Sequence, residues 1–325
     1  MKKTALLTAL FLVFSFMGYA QEWHGITSDS PSQMKTTLIS STENETVIDV
    51  SIGGYYTHNV KTPNGKAVEV SVSDMSVVYE VGAPQLPFGA VPVIIGDRAE
   101  MTVSVVKSQY VDIENVEVAP SKGDFSRQIN PDDVPYTYGE MYQQDAFWPA
   151  SQVDLDAPYI LRDFRGQNIV VRPFAYNPVK KTLRVYTNMT IVMTKVSDNG
   201  KNQMVTRKSN DVKTSPEFKA SYGRRFINFG ATETRYNFIE DSGEMLIICA
   251  DQFMAEMQPL VDWKNQSGRP TTMVNVATAG GNNATNIKNY ITNNYNDPNH
   301  NLAYVLLVGD YNHITPHPFT YDGAT

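Results

Sequence analysis

The stretch Ser221-Tyr-Gly-Arg-Arg-Phe-Ile-Asn-Phe-Gly-Ala-Thr-Glu-Thr-Arg235-Tyr236 separates two halves of the chain with different hydrophobic patterns. Before it, short runs alternate apolar and polar residues, as β-strands do, whereas after it strand-like runs alternate with helix-like ones. We expect a β-rich domain over residues 21–215, a basic linker over 216–235 and an α/β domain over 236–325. The linker arginines are either solvated charges in an ordinary connection or a site at which a protease separates the two domains.

The N-terminus has the pattern of a secretory signal peptide over residues 1–20. Lys2 and Lys3 precede an apolar run that ends at Met17, and small residues lead to a cleavage point between Ala20 and Gln21. No later run approaches the roughly 18 apolar residues that a membrane-spanning helix needs. We therefore expect an exported protein without a membrane span.

Composition narrows the class of protein. The chain has 325 residues and a formal net charge of -7, so it lacks the basic surplus of a nucleic-acid-binding protein. Its single cysteine, Cys249, excludes an internal disulfide framework. No motif identifies a cofactor.

The first half predicts an antiparallel sandwich or barrel. Strands at 55–60 and 68–72 flank Pro63-Asn-Gly65, which is the pattern of a β-hairpin. Further strand-like runs lie at 91–95, 99–106, 110–118, 168–172, 182–187 and 189–193. The prolines of 173–178 predict a turn, residues 119–135 form the longest predicted loop, and 195–215 has the composition of a mobile exit segment.

The second half predicts a β-α-β-α-β unit with a parallel sheet. The predicted strands are 245–250, 271–276 and 303–310, and the predicted helices are 253–264 and 285–295. The first helix groups its apolar residues on one side: Met254, Met257, Leu260, Val261 and Trp263. In such sheets binding sites form beyond the carboxyl ends of the strands, here at Gly309-Asp310. The first connection carries no glycine fingerprint for a nucleotide.

Several motifs occur in a characteristic order. The first half contains Val81-Gly-Ala-Pro-Gln-Leu-Pro87, Pro135-Tyr-Thr-Tyr-Gly139 and Arg165-Gly-Gln-Asn-Ile-Val-Val-Arg-Pro173. The second half contains Val261-Asp-Trp-Lys-Asn-Gln-Ser-Gly268 and Tyr304-Val-Leu-Leu-Val-Gly-Asp310. The first set resembles the propeptide of the gingipain-type cysteine peptidases, family C25, and the second is similar to the start of their catalytic domain.

The resemblance implies a secreted zymogen of an endopeptidase. It would have a caspase-like catalytic fold, use a Cys-His dyad on protein or peptide substrates, and carry a propeptide that contacts the catalytic domain. Calcium binding is an expectation from the resemblance alone. The dyad of the family lies on later strand ends, so we expect the chain to be a truncated precursor that is itself inactive.

The cysteine and the histidines present do not form that dyad. Cys249 lies inside a predicted buried strand, where we expect an inert thiol. We interpret His24-Gly25 as a chance match to the His-Gly pair of the family, while His58 and His300 belong to no recognisable group of catalytic residues. His313 and His317 flank a proline without the third and fourth ligands that a zinc site takes, so we expect a structural or solvent-exposed role.

Two arginine hypotheses remain. The junction Thr234-Arg235-Tyr236 matches the family junction, so we predict cleavage between Arg235 and Tyr236, with Arg224 and Arg225 as competing sites. In the loop between residues 122 and 135, Arg127 either mimics a P1 side chain in the downstream active-site cleft or is a solvated loop charge.

Two other classes of protein share parts of this pattern. One is a secreted binding, adhesin or inhibitor module without catalysis. The other is a C25-type processing peptidase of a secretion system. The processing peptidase would share the fold, so these residues do not distinguish it from the zymogen, and a basic P1 preference follows only if activation is autocatalytic.

Overall fold

The structure is a computed structural model that describes residues 21–205 and 210–316. The chain divides into two compact units, and the first consists of Met1–Arg207 with Phe226–Thr232. The second consists of Lys208–Arg225 with Glu233–Thr325. We call them the β unit and the α/β unit. The division of the linker between both units was not anticipated, and the domain boundaries at 215/216 and 235/236 stay predictions.

Among its described residues, the β unit contains 13 strands: β1 (Glu22–Gly25), β2 (Lys35–Ser41), β3 (Glu45–Ser51), β4 (Gly54–Thr62), β5 (Gly65–Ser71), β6 (Ser76–Val77), β7 (Pro87–Ile94), β8 (Glu100–Ile113), β9 (Val153–Leu155), β10 (Tyr159–Leu161), β11 (Phe164–Val171), β12 (Phe174–Asn177) and β13 (Thr182–Ser197). They form three antiparallel sheets with the orders β1-β4-β5, β10-β11-β7-β6 and β12-β13-β3-β2. In addition, β9 pairs with β11 and β8 pairs with β13.

Alternating residues of the strands bury one face of each sheet against another. Ile48, Val93, Ile169 and Ile191, on β3, β7, β11 and β13, share a core between the two five-stranded sheets. A second core joins the β4-β5 hairpin to β12 and β13 through Val70 and other buried side chains. The predicted sandwich and its hairpin are therefore confirmed.

Three local predictions for the first half were wrong. The run 99–106 and the beginning of the run 110–118 lie in the single strand β8, which ends at Ile113, and the runs 182–187 and 189–193 are both parts of β13. Polar residues within each run suggested that the strand is interrupted there. Instead, β8 and β13 stay paired along their length, with three register shifts between them. The predicted turn 173–178 contains β12, whose residues pair with β13 between flanking prolines.

The α/β unit has a parallel sheet of order β17-β16-β18. Its elements are β14 (Asp211–Thr214), α1 (Pro216–Arg225), β15 (Asn237–Glu240), β16 (Glu244–Cys249), α3 (Met254–Gln266), β17 (Thr271–Asn275), α4 (Ala284–Asn296) and β18 (Leu302–Val308); α2 (Phe229–Thr232) belongs to the β unit. Successive residues of β16 face opposite sides: Ile247 packs with residues of α3, and Ile248 with residues of α4. The predicted β-α-β-α-β order is confirmed.

Some details of the second half differ from the prediction. Trp263 is 57 % exposed rather than part of the apolar side of α3, and the Lys264 ammonium lies 4.6 Å from its ring centroid. The predicted exit segment 195–215 includes the end of β13 and all of β14, which pairs in parallel with β15. Residues 216–225, which carried no predicted element, form helix α1, with Pro216 at its first position.

Candidate functional site

The loop of residues 122–135 presents Arg127 at its tip. The Ile129 N–H donates to the Ser126 carbonyl at 2.9 Å, which closes a turn with Arg127 and Gln128 at its two central positions. Both side chains are exposed. Within the described part of the chain, the Arg127 guanidinium makes no hydrogen bond or ion pair. The tip therefore offers a cation to a partner without first breaking a contact.

The base of this loop is fixed by polar contacts. The Lys122 ammonium donates to the Pro131 carbonyl at 2.8 Å and lies 4.3 Å from the centroid of the Tyr136 ring. The Tyr136 hydroxyl donates to Glu69 Oε1 on β5 at 2.8 Å. Burial and the Glu69 carboxylate raise the pKa of Tyr136 well above its usual value, so the hydroxyl remains a donor.

An open cavity of about 1300 Å³ lies beneath the loop. Its lining includes His58 and Glu69 of the β4-β5 hairpin, Lys122, and Tyr136 after the loop. His58 and Glu69 are directly opposite each other in the hairpin register. The loop is thus held over the hairpin by the Tyr136 contact rather than by a continuous apolar core.

Among the three candidate processing arginines, Arg224 and Arg225 end helix α1. Both side chains are exposed, and Arg224 Nη2 donates to Ser221 Oγ at 3.4 Å. Phe218 ties the helix to the rest of the α/β unit, since its ring stacks on Tyr304 at a centroid distance of 5.3 Å. Tyr222 of the same helix is buried. These two arginines therefore have helical backbone on their N-terminal side.

The residues that follow Arg225 dock into the β unit. We call Phe226–Thr232 the anchor segment. Phe226 stacks on Tyr159 at a centroid distance of 6.4 Å, and Phe229 packs edge-on against Phe164 at 6.0 Å. Sequence reasoning missed this role, although the apolar residues of Phe226-Ile-Asn-Phe229 within a basic stretch were a signal for it.

Asn228 fixes the anchor segment to the edge of β7. The Ile94 N–H donates to Asn228 Oδ1 at 2.8 Å, and Asn228 Nδ2 donates to the Ile94 carbonyl at 2.9 Å and to Ser41 Oγ at 3.1 Å. The Ile227 N–H donates to the Pro92 carbonyl at 3.1 Å. β6 covers only the first residues of β7, so the anchor segment supplies hydrogen bonds at an edge that would otherwise be open.

The Arg235-Tyr236 bond lies in a turn just before β15. Both side chains are half-buried, and Thr234 and Asn237 beside them are exposed. The Asn237 N–H donates to the Asn210 carbonyl at 2.9 Å, where the pairing of β15 with β14 begins. The structure thus places this bond between a turn and a short two-stranded sheet.

At the expected site at the end of β18, Asp310 is exposed and takes part in hydrogen bonds within the turn that follows the strand. His313 Nδ1 lies 2.8 Å from Asp310 Oδ1, and the Phe253 ring packs edge-on against the imidazole at 5.4 Å. No group of three or more histidine, cysteine, aspartate or glutamate side chains suited to a metal ion occurs within residues 21–205 and 210–316. His317 lies outside the described residues.

Cys249 is fully buried at the end of β16, as predicted. Its thiol donates to the Ala250 carbonyl at 3.3 Å. Burial, then the nearby carboxylates of Asp251 and Glu256, raise the pKa of the thiol, which disfavours the nucleophilic thiolate. This site has neither the access nor the electrostatics of a catalytic cysteine.

His24 and His300 make contacts that belong to the fold. His24 lies in β1, where its Nε2 is 2.8 Å from Thr57 Oγ1 and its ring stacks on Tyr55. His300 Nδ1 lies 2.8 Å from Glu244 Oε2.

At the N-terminus, the predicted signal cleavage falls between Ala20, outside the described residues, and Gln21. No helix in the described ranges is long and apolar enough to cross a membrane.

Two family models match consecutive parts of this chain. Propeptide_C25 matches residues 27–226, and Peptidase family C25 matches residues 239–322. A propeptide followed by the beginning of a peptidase domain defines a peptidase precursor. The chain belongs to the gingipain-type precursors of peptidase family C25.

Known proteins agree with this assignment. Gingipain R1 from Porphyromonas gingivalis is 37% identical over 258 residues, which are 78% of this chain and 25% of that protein. Gingipain R2 from P. gingivalis strain ATCC 33277 is 34% identical over 280 residues, 85% of this chain and 37% of the relative. The chain therefore spans about a quarter to a little over a third of the length of these relatives.

One solved structure matches much of the fold. It is the complex of the P. gingivalis RgpB pro- and mature domains, with a TM-score of 0.55 and 32% sequence identity. The match covers 61% of this chain and 97% of the matched chain. This similarity agrees with the β-rich architecture of the first part of the chain.

Proposed function

We propose that this chain is the front part of a secreted cysteine endopeptidase zymogen whose propeptide holds the downstream catalytic domain inactive. The match of a propeptide model followed by a peptidase model supports the precursor. The Cys-His dyad would be supplied by residues outside those seen here, because the Cys249 thiol is buried and disfavours its thiolate. The signal-like residues 1–20 support export, with cleavage between Ala20 and Gln21.

Arg127 is the inhibitory residue in this proposal, and its geometry is the observation that carries it. The side chain projects from the centre of a closed turn, on a loop whose base is tied by Lys122 and Tyr136. A preorganised loop loses little conformational entropy when it enters a cleft. A guanidinium at its tip pairs with a carboxylate at the base of a specificity pocket through charge-assisted hydrogen bonds.

Maturation is proposed to occur at Arg235-Tyr236, which separates the propeptide model match from the peptidase model match. The substrates would be proteins or peptides, by family membership. Calcium binding stays a prediction from the family.

The test expresses this chain with the coding sequence that follows it, and blocks maturation with Arg235→Gln. Hydrolysis of peptides with Arg, Lys or neutral P1 residues is measured with and without a thiol alkylator. We expect a latent precursor whose thiol-sensitive activity rises at least about tenfold with Arg127→Ala, since one charge-assisted contact is lost. Gln128→Ala, the neighbouring turn residue, is the matched control and should leave latency intact.

Unchanged latency with Arg127→Ala would remove Arg127 from the inhibitory contact. Absence of thiol-sensitive cleavage from the same chain with Arg235 intact would instead favour a non-catalytic secreted module. Activity confined to secretion-system substrates would identify a processing peptidase.

A further inference from the structure

The candidate processing bonds differ in what surrounds them. Of the four residues that follow Arg225, three are buried: Phe226 is 2 % exposed, Asn228 0 % and Phe229 6 %. Around the Arg235-Tyr236 bond, none of the six residues 233–238 is buried. The three arginines are therefore not equivalent protease sites, although their side chains carry the same charge.

A protease binds the residues on both sides of the cleaved bond in an extended conformation. At Arg225, that conformation requires the last turn of α1 to unwind and Phe226 and Asn228 to leave their contacts in the β unit. Three hydrogen bonds of the Asn228 side chain, two of them to Ile94, would break. Cleavage of a folded protein proceeds from such locally opened states, so its rate falls with their population.

The residues around Arg235 do make contacts, but none of their side chains is buried in a core. On the N-terminal side, Glu233 makes an ion pair with Lys219 at 2.7 Å, and both side chains are more than a third exposed. Exposed ion pairs of this kind contribute little to stability. On the C-terminal side, β15 has four residues and pairs with β14 alone among the described strands.

We propose that the anchor segment masks the Arg224 and Arg225 bonds and directs the maturation cut to Arg235. Asn228 is the positioning residue, since its side-chain hydrogen bonds hold the anchor segment on the edge of β7. After the cut the segment stays with the propeptide as its C-terminal end. This inference deepens the proposed zymogen function and rests on it for its biological role, but the masking itself is a property of the folded chain.

An added arginine-specific endopeptidase tests the masking without any activity of the chain. The full chain is treated at low protease concentration, and cleavage at each arginine is followed by mass spectrometry and N-terminal sequencing. In the unmodified chain we expect cleavage at Arg235 to be at least about tenfold faster than at Arg224 or Arg225. Asn228→Ala should raise the rate at Arg224 and Arg225 about tenfold and leave the rate at Arg235 unchanged.

Two further variants keep the result interpretable. Ser41→Ala removes only one of the three hydrogen bonds, so it should give a smaller shift in the same direction while the fold is retained. Val185→Ala destabilises the second core without touching the segment and should leave the ratio of the two cuts unchanged. Hydrogen exchange of the Ile94 amide reports whether the segment has left the edge of β7.

Equal rates at Arg225 and Arg235 in the unmodified chain would overturn the proposal. So would an Asn228→Ala variant in which the Ile94 amide exchanges rapidly while the ratio of cuts stays the same. A precursor that shows the masking but no latency would contradict the zymogen function alone, so the two failures are distinguishable.

Discussion

The side-chain amide of Asn228 makes two hydrogen bonds with the backbone of Ile94, one to the N–H and one to the carbonyl, as a residue of a neighbouring strand would. A third bond, to Ser41 Oγ, reaches the end of β2 in the facing sheet. One amide thereby links the edges of both sheets of the sandwich. Residues far downstream in the sequence thus complete the β unit.

Loss of this amide should destabilise the β unit. Asn228→Ala leaves the N–H and carbonyl of Ile94 without their partner, and we expect the free energy of unfolding to fall by about 2–3 kcal/mol. Urea unfolding of the full chain measures it. Asn130→Ala, which removes an exposed cap of the short helix Pro131–Asp133, is the control and should cost less than about 1 kcal/mol. Equal effects of the two substitutions would contradict the structural role of Asn228.

A second prediction concerns Arg165, which is 0 % exposed. Its guanidinium donates to four backbone carbonyls, those of Gly96, Ala99, Lys201 and Asn202, and so joins two loops. Arg165→Lys keeps the charge, but an ammonium cannot reproduce this planar set of donors. We expect a loss of about 3 kcal/mol or more in urea unfolding, within the range for breaking a buried charged network.

The control for Arg165 is Arg172→Lys. Arg172 is partly exposed and lies 3.9 Å from Asp154, so the substitution should change stability by less than about 1 kcal/mol. A destabilisation of Arg165→Lys as small as that of Arg172→Lys would show that the four carbonyl contacts contribute little.

Local sequence pattern predicted the elements whose partners are near in the chain. The strands β16, β17 and β18 with the helices α3 and α4, the inward position of Ile287, and the β4-β5 hairpin follow from periodicity and turn residues, whereas β14, α1 and β15 were not predicted. The contact between Asn228 and Ile94 joins residues 134 positions apart, and no periodicity encodes it. A single side-chain amide that takes the hydrogen-bonding place of a neighbouring strand produces no periodic pattern in the sequence.

Of the candidate sites, one could be predicted from local sequence and one could not. The loop around Arg127 was predictable because its prolines, glycine and polar residues exclude regular structure, and the structure confirms that it is an exposed loop. The masking environment of Arg225 was not, because it depends on the burial of Phe226 and Asn228 in the tertiary fold. The junction motif favoured Arg235, but no sequence feature showed that the bonds after Arg224 and Arg225 adjoin buried residues.

A third prediction gives the pH dependence of a surface pair. Arg184 makes two hydrogen bonds to Asp112, at 2.7 and 2.8 Å, and lies between the rings of Tyr110 and Phe147. These hydrogen bonds lower the pKa of Asp112. A depressed carboxyl pKa stabilises the fold above the unfolded value near 4, and this contribution disappears as pH falls through the folded pKa.

Asp112→Asn should therefore lower stability at pH 7 and have little effect at the lowest pH at which the chain remains folded. The pair is partly exposed, so solvent screening limits the difference to about 1 kcal/mol. Urea unfolding at several pH values measures it. A difference that grows on acidification would contradict the assigned sign.

A fourth prediction concerns the single thiol. Because Cys249 is buried and its pKa is raised, we expect no alkylation of the native chain at pH 8 and complete alkylation in urea, measured by intact mass. Rapid labelling of the native chain would show that β16 opens readily. Unreactive Cys249 also simplifies the activity test, since a thiol alkylator would then act on cysteines elsewhere.

The last prediction tests whether the loop that carries Arg127 is preorganised. Tyr136→Phe removes the hydroxyl that donates to Glu69, while the ring over which the Lys122 ammonium lies is retained. Without this contact the loop should open more often, so an added arginine-specific protease should cleave after Arg127 about threefold to tenfold faster.

Tyr138→Phe is the matched control for this experiment. It removes a comparable hydroxyl contact, the one with Thr62 Oγ1 at 2.7 Å, but lies two residues farther from the loop than Tyr136, whose ring contacts Lys122 of the loop. Equal cleavage rates in the two variants would show that the Tyr136 contact does not restrain the loop. A faster rate in Tyr136→Phe alone would mean that Arg127 is presented by a restrained loop, and weaker latency of the same variant in the longer precursor would then connect that restraint to inhibition.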